Sequence, residues 1–152
     1  MKKITLVILG IIMIFTLTGC SEKTTITTKD FVTHAHEYKY SPYDVLEQYK
    51  YNSNITEATL VQGREGWTIE FYVLKDADSA DSMFLTSKSK FEKDKSNTST
   101  QLSTSGTNFD TYTLETNNTY KYLSRVDNTL LYIDENEEYK DEILEFIEEF
   151  NY

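Results

Sequence analysis

Alternating apolar and polar positions predict a β-hairpin near the middle of the chain. The apolar residues of its second strand occupy every other position: Trp67, Ile69, Phe71 and Val73. Ala58 and Leu60 alternate in the same way in the preceding run, and two glycines stand in the loop between the strands. Pairing across this loop places Leu60 opposite Ile69 and Ala58 opposite Phe71, so the apolar side chains share one face. We therefore expect Trp67 to pack in the core rather than to stack on a ligand.

Three further strands are predicted in the C-terminal half, joined by two tight turns. Asn117-Asn118 and Asp127-Asn128 suit the left-handed backbone of two-residue hairpin loops. The resulting register pairs opposite charges across the strands: Asp110 with Arg125, and Lys121 with Asp134. It also gathers apolar side chains on one face: Phe109, Tyr122, Val126, Leu131 and Ile133. Register and charge agree, which supports these three strands.

Three stretches have apolar residues at helical spacing. The first follows a capping box formed by Thr27 and Asp30, and Ser41-Pro42 should end it. The second begins after Asp76, and the third begins at about Asn136. Their buried stripes are predicted to be Phe31, Ala35 and Tyr38; Ala80, Phe84, Ser87 and Phe91; and Tyr139, Ile143, Phe146, Ile147 and Phe150.

These elements predict an α+β fold in the order α, (β), β, β, α, β, β, β, α. The bracketed strand stands for residues 44–51, which fit a strand or a helix, and residues 96–106 are expected to form a surface loop. We expect an antiparallel sheet of about five to six strands with helices packed mainly on one face. The opposite face would hold Tyr112, Leu114, Leu123, Leu130 and Tyr132. We expect the first helix, or Tyr40 and its neighbours, to cover that face; if uncovered, it is an apolar patch for a partner.

The amino terminus has the pattern of a targeting segment. Lys2 and Lys3 precede an apolar run of 14 residues, 4–17, which is shorter than the roughly 20 residues of a bilayer span. The tetrapeptide Leu17-Thr18-Gly19-Cys20 at the end of this run resembles the lipobox of bacterial lipoproteins. The resemblance implies that the chain is cut before Cys20 and that the Cys20 thiol carries diacylglycerol, whose two acyl chains anchor stably.

The implied organisation has three parts. Residues 1–19 would be a cleaved lipoprotein signal peptide, residues 20–25 the lipidated amino terminus and tether, and residues 26–152 a single α+β domain. Two alternatives stay open: a retained membrane helix with an unmodified Cys20, or an ordinary cleaved secretory signal. The second alternative would leave a lone thiol in an oxidising compartment.

The charge of the chain argues against nucleic acid as a partner. The formal net charge is −10, and removal of residues 1–19 takes away Lys2 and Lys3 and no acid, which brings it to −12. Such a surface repels polyanions. Because Arg64 and Arg125 are the only arginines, bidentate phosphate recognition also has few donors.

Two groups of residues suggest metal binding, and both have simpler explanations. His34 and His36 are candidate ligands, but on a helix positions i and i+2 point about 200° apart, so one ion could be held only by an extended segment. Asp76, Asp78 and Asp81 suggest calcium, although the glycine and glutamate of an EF-hand loop are missing at the required spacing. Helix capping accounts for these aspartates. We expect no metal and no other cofactor.

The lipobox together with a small acidic domain is similar to the uncharacterised small lipoproteins of Gram-positive bacteria. This resemblance implies a location on the extracytoplasmic face of the cell membrane, with the membrane as a partner through the lipid anchor. The sequence favours a non-catalytic module that binds an unknown protein or small ligand, and no nucleophile motif argues for an enzyme. The alternatives are an envelope-polymer hydrolase using paired carboxylates, or a cation-binding surface protein.

Overall fold

A computed structural model describes residues 22–150 and residue 152. In chain order its elements are α1 (Thr28–Glu37), β1 (Ser41–Asp44), a 3₁₀ turn (Leu46–Tyr49), β2 (Ile55–Gln62), β3 (Thr68–Leu74), α2 (Ala77–Glu92), β4 (Thr100–Ser105), β5 (Phe109–Thr116), β6 (Thr119–Val126), β7 (Thr129–Asn136), a second 3₁₀ turn (Glu137–Tyr139) and α3 (Lys140–Glu148). The described part of the chain is therefore α+β, as predicted.

The strands form one antiparallel sheet of seven strands in the order β1-β2-β3-β7-β6-β5-β4. Two runs of sequential strands, β1 to β3 and β4 to β7, meet where β3 pairs with β7. The prediction of five to six strands was therefore wrong by at least one strand. Residues 100–105, which form β4, were predicted as part of a loop, and β1 lies at residues 41–44, largely before the stretch 44–51 that was predicted as a possible strand.

Of the three helices in the described residues, α1 and α3 pack on one face of the sheet and α2 packs on the other. Residues of α1 and α3 pack in a first core with these sheet residues: Val61, Trp67, Ile69, Phe71, Phe109, Tyr120, Tyr122, Val126, Leu131 and Ile133. Residues of α2 pack in a second core with Ile55, Ala58, Tyr72, Leu74, Tyr112, Leu114, Leu123 and Leu130. The central strands carry apolar side chains at both odd and even positions, so each face of the sheet needs a cover.

The apolar face that was considered for a partner is covered by α2. Tyr112, Leu114, Leu123 and Leu130 are each no more than 1% exposed. Tyr132 is partly buried, and its ring centroid lies 5.2 Å from that of Phe91 on α2. The expected cover by α1 or Tyr40 is wrong because both belong to the first core. This face is therefore not available as a docking surface in the structure.

The hairpin of β2 and β3 forms, but its register differs by one residue from the prediction. Val61 pairs with Ile69, and Thr59 pairs with Phe71. The loop between Gly63 and Trp67 has three residues, one fewer than the predicted register requires, and ends on Gly66 at φ +96°, the left-handed conformation typical of a three-residue hairpin loop. A shift of one residue exchanges the two faces of a strand, so Ala58 belongs to the second core instead of facing Phe71.

The two edges of the sheet are where the sequence was least informative. Residues 96–106 were expected to be a loop, yet β4 pairs with β5 over six residues, all of them exposed. Its Ser- and Thr-rich sequence has no apolar alternation because it buries no side chain. At the other edge β1 contains Pro42, which an edge strand tolerates, and the ambiguous stretch that follows forms the 3₁₀ turn Leu46–Tyr49.

Several other local predictions are confirmed. Thr27 and Asp30 form the capping box of α1, and the side chain of Asp76 caps α2. Both two-residue turns form with left-handed residues at Asn117, Asn118 and Asp127. The charged pairs stand opposite each other as predicted: Asp110 with Arg125, and Lys121 with Asp134. The predicted stripes of all three helices pack in the two cores.

The segment expected to be a tether is partly bound to the domain. The backbone N–H of Lys23 donates to Oδ1 of Asn108 over 3.0 Å, and Nδ2 of Asn108 donates to the carbonyl oxygen of Lys23 over 2.9 Å. The predicted signal peptide 1–19 and Cys20 lie outside the described residues. Among residues 22–150 and 152, every helix is too short or too polar for a membrane span.

Candidate functional site

A polar cavity lies where the end of α1, the β2–β3 loop and α3 meet. It has a volume of about 410 Å³ and is lined by Glu37, Tyr38, Tyr40, Arg64, Glu142 and Glu145. We call it the Tyr–Glu cleft. The cleft combines two aromatic rings with three carboxylates and one guanidinium, so its formal charge is negative.

The inner wall of the cleft is held rigidly by Glu142. Trp67 Nε1 donates to Oε2 of Glu142 over 2.7 Å, and the Tyr40 hydroxyl donates to Oε1 over 2.8 Å. Burial raises the pKa of Tyr40, and the neighbouring negative charge of Glu142 raises it further. Tyr40 therefore stays protonated and acts as a donor throughout the physiological range.

The outer wall is formed by Tyr38 at the carboxyl end of α1. Its hydroxyl donates to Oε1 of Glu149 over 2.9 Å, and Arg64 donates to its carbonyl oxygen over 3.3 Å. Glu37 and Glu145 are exposed at the rim. These contacts tie the two helices and the hairpin loop together around the opening.

His34 lies directly behind the cleft and is buried. Its Nε2 is 3.0 Å from the carbonyl oxygen of Phe146, and its Nδ1 is 3.5 Å from Glu37 and 3.7 Å from Glu149. His36 is exposed and lines a different cavity. The two histidines are therefore not brought together. Within residues 22–150 and 152 no group of three or more His, Cys, Asp or Glu side chains is arranged to hold a metal ion.

A larger cavity of about 490 Å³ lies between α1 and the β1–β2 edge. It contains His36, Asp44 and Glu57 together with Tyr43, whose side chain is 49% exposed. We prefer the Tyr–Glu cleft as the candidate site because its polar groups converge and are fixed by hydrogen bonds to core residues, which is what a specific site needs.

The Tyr–Glu cleft is suited to binding a positively charged group. Carboxylates attract a cation, and the faces of tyrosine rings interact favourably with ammonium or guanidinium groups. None of its lining residues is Ser, Thr, Cys or His. These residues were not predicted to form a site; of the residues around the cleft, Trp67, beside the glycine loop, was the one considered for contact with a ligand.

Two further carboxylates, those of Glu70 and Glu135, bear on the hypothesis of a hydrolase that uses paired carboxylates. Glu70 accepts hydrogen bonds from the hydroxyls of Tyr49, over 3.1 Å, and Tyr72. Burial raises the pKa of Glu70; the bond from Tyr49 lowers it and the charge of Glu135 raises it. The Glu135 carboxylate is itself bound to the backbone and hydroxyl of Thr68. Neither carboxylate lines either of the cavities above.

Replacing Glu70 by glutamine should change how stability depends on pH. Folding raises the pKa of Glu70, so the folded state favours the protonated carboxyl group. Glu70 therefore contributes its full stabilisation below the ordinary pKa of a glutamate, and this contribution is lost as the pH rises through the raised pKa. We therefore expect the Glu70→Gln variant to gain stability relative to the parent as the pH rises from about 4 to about 8. Urea denaturation at both pH values measures this. Glu47→Gln, at an exposed position, is the control, and parallel profiles for both variants would contradict the interpretation.

Comparison with known proteins assigns no family to the chain. No family model matches it, and no curated protein and no solved structure matches it either.

Proposed function

We propose that this protein is a membrane-anchored surface lipoprotein whose domain is a non-catalytic module that binds a cationic ligand in the Tyr–Glu cleft. The observation that carries the binding proposal is the cavity lined by Glu37, Glu142 and Glu145 together with two tyrosines. The proposed class of ligand is an amine, such as a polyamine or a lysine side chain of a protein.

Electrostatics favours a cation in this position for two reasons. The single guanidinium of Arg64 does not neutralise three carboxylates, and the net charge of the chain is −10. The general negative field draws cations to the domain, while the fixed carboxylate of Glu142 and the rings give the cleft a defined geometry.

Isothermal titration calorimetry with spermidine, using the full chain in detergent micelles, tests the proposal. We expect saturable binding by the parent that weakens about two- to fivefold in Glu145→Gln, the effect of removing one exposed carboxylate worth about 0.5–1 kcal/mol. Glu145 is chosen because it lines the rim and its carboxylate has no hydrogen-bond partner among the described residues.

Glu47→Gln is the matched control for this titration. It removes the same charge from an exposed position in the 3₁₀ turn after β1, away from the cleft. An equal loss in both variants would mean that spermidine responds only to net charge. Heats no larger than those of sodium chloride at the same ionic strength would also overturn the proposed site.

The anchor is supported by Leu17-Thr18-Gly19-Cys20 and is tested separately. Intact-mass analysis of the membrane fraction should show a chain that starts at Cys20 and carries diacylglycerol. The Cys20→Ser variant should lack this mass. An unmodified amino terminus at Met1 would contradict the anchor without affecting the cleft.

The two alternatives from the sequence receive less support. A hydrolase with paired carboxylates requires an open cleft with one acid of raised pKa. Glu70, whose pKa is raised, is hydrogen-bonded by Tyr49 and Tyr72 and lines neither of the two cavities described above. Binding of an inorganic cation requires several converging ligands, which the described residues do not provide. We therefore do not propose either function.

A further inference from the structure

We infer that the domain stands directly on the membrane, with one end of the sheet facing the lipid headgroups and the Tyr–Glu cleft facing away. The membrane-facing end is formed by the turns at residues 106–108 and 127–128, and we call it the anchor end. This inference rests on the proposed lipidation of Cys20 and adds to it a defined orientation of the bound domain.

The chain just after the proposed anchor is bound to the domain through Asn108. Asn108 uses both groups of its side-chain amide to bind the backbone N–H and carbonyl of Lys23, over 3.0 Å and 2.9 Å. Two residues later the hydroxyl of Thr25 donates to the carboxylate of Asp127. Asn108 also donates to Asp127 over 3.1 Å, which joins the two turns to the incoming chain.

Side-chain packing adds to this attachment. The ammonium group of Lys23 lies 5.0 Å from the ring centroid of Phe109, at the start of β5. The incoming chain is therefore held by backbone and side-chain contacts at the anchor end, and the position of Lys23 relative to the domain is fixed.

The chain between the proposed lipid attachment at Cys20 and the first bound residue, Lys23, is short. Three peptide units separate Cys20 from Lys23, so their Cα atoms are at most about 11 Å apart. A linker of this length cannot extend the domain far from the bilayer. The anchor end must then lie close to the headgroups.

The Tyr–Glu cleft lies at the end of the sheet opposite the anchor end. Strands of eight residues, such as β5, β6 and β7, span roughly 23 Å at about 3.3 Å per residue. The anchor end lies where Val126 pairs with Thr129, and the β2–β3 loop lies at the other end, where Thr68 binds Glu135. Arg64, in that loop, lines the cleft. The cleft would therefore be held about one strand length above the membrane.

The far end of the sheet is more acidic than the anchor end. Acidic residues follow one another at the far end: Glu135, Glu137, Glu138, Asp141 and Glu142. At the anchor end Lys23 and Lys75 lie near Asp76 and Asp127, so charges of both signs stand there. Anionic lipids repel carboxylates, which favours an orientation with the acidic far end away from the membrane.

Two engineered cysteines test the orientation. Acylation would occupy Cys20, the only cysteine of the chain, so a new thiol can be spin-labelled selectively. Thr107→Cys places the label at the anchor end and Glu65→Cys places it in the β2–β3 loop; both positions are exposed. The lipidated full chain is bound to vesicles of phosphatidylcholine and phosphatidylglycerol that contain a nickel-chelating lipid, and relaxation of each label is measured by electron paramagnetic resonance power saturation.

We expect strong relaxation at position 107 and several-fold weaker relaxation at position 65. Equal relaxation at the two positions in a chain of confirmed diacylglycerol mass would overturn the orientation and leave the lipoprotein proposal intact. A chain without that mass would instead overturn the proposed anchor, and with it this inference. Intact-mass analysis of the same samples separates these outcomes.

Asn108→Ala supplies a second measurement because it removes the bonds to Lys23 without changing Cys20. We expect it to reduce the difference between positions 107 and 65. Asn97→Ala changes the same residue type at an exposed position and should leave the difference unchanged. An undiminished difference in folded Asn108→Ala would show that Asn108 does not orient the domain.

Discussion

Replacement of Phe146 by alanine should lower the free energy of unfolding by about 3–5 kcal/mol, the range for a buried phenylalanine. Phe146 is completely buried on α3, and its ring lies within 6.4 Å, centroid to centroid, of the rings of six residues: Phe31, His34, Tyr38, Tyr40, Trp67 and Phe150. The substitution leaves a cavity between α1, α3 and the hairpin that these rings cannot fill. A loss of this size is a large fraction of the stability of a small domain.

Urea denaturation followed by far-UV circular dichroism measures this loss. Leu85→Ala is the control, because Leu85 on α2 is 55% exposed and should change stability by about 0.5 kcal/mol or less. If Phe146→Ala costs no more than Leu85→Ala, the aromatic cluster is not the main contact between α3 and the sheet.

The second large effect is expected for Gly63→Ala. A Cβ atom at Gly63 would lie 2.0 Å from Cε2 of Trp67, far inside van der Waals contact. The indole cannot move away, since it is completely buried and its Nε1 is bound to Glu142. We expect a loss of about 3 kcal/mol or more, at the upper end of the cost of overpacking.

Gly66→Ala in the same loop separates contact from backbone strain. No atom lies within 4 Å of a Cβ at Gly66, but its φ of +96° is unfavourable for alanine. This variant should lose only about 1–2 kcal/mol, the cost of a left-handed residue. A larger loss in Gly66→Ala than in Gly63→Ala, by urea denaturation, would show that the loop conformation matters more than the space beside Trp67.

The strands β5, β6 and β7 could be predicted because the turns between them determine their register. Asn117-Asn118 and Asp127-Asn128 allow only short connections, and the resulting alignment could be checked against two charge pairs. The β2–β3 hairpin lacked such a check. Val61 and Leu60 are both apolar, so the apolar pattern of β2 fits two registers equally well. The left-handed conformation of Gly66 fits the register that was not predicted, with Val61 opposite Ile69.

Placement of the helices and edges depended on tertiary structure. The stripe of α2 was predicted correctly, but an amphipathic pattern does not tell which face of the sheet the helix covers. The strand β4 has no apolar alternation to identify it, because it is held by pairing with β5 alone and buries nothing.

The candidate site was the part least accessible to sequence reasoning. Glu37, Arg64 and Glu142 come from three separate elements, and no short spacing connects them. Their proximity results from α1 and α3 packing on the same core as the hairpin. Trp67 was correctly placed in the core, while its hydrogen bond to Glu142 became visible only in the fold.

The position of Trp67 has a practical consequence for work on this protein. Trp67 is the only tryptophan of the chain, which also contains twelve tyrosines. Fluorescence excited at long wavelength, where tyrosine does not absorb, therefore arises from one indole beside the cleft. Emission from that indole reports on the corner formed by α1, α3 and the hairpin, whereas tyrosine emission reports on the whole sheet. Comparing the two signals during thermal melting therefore tests whether this corner unfolds together with the rest of the domain or before it.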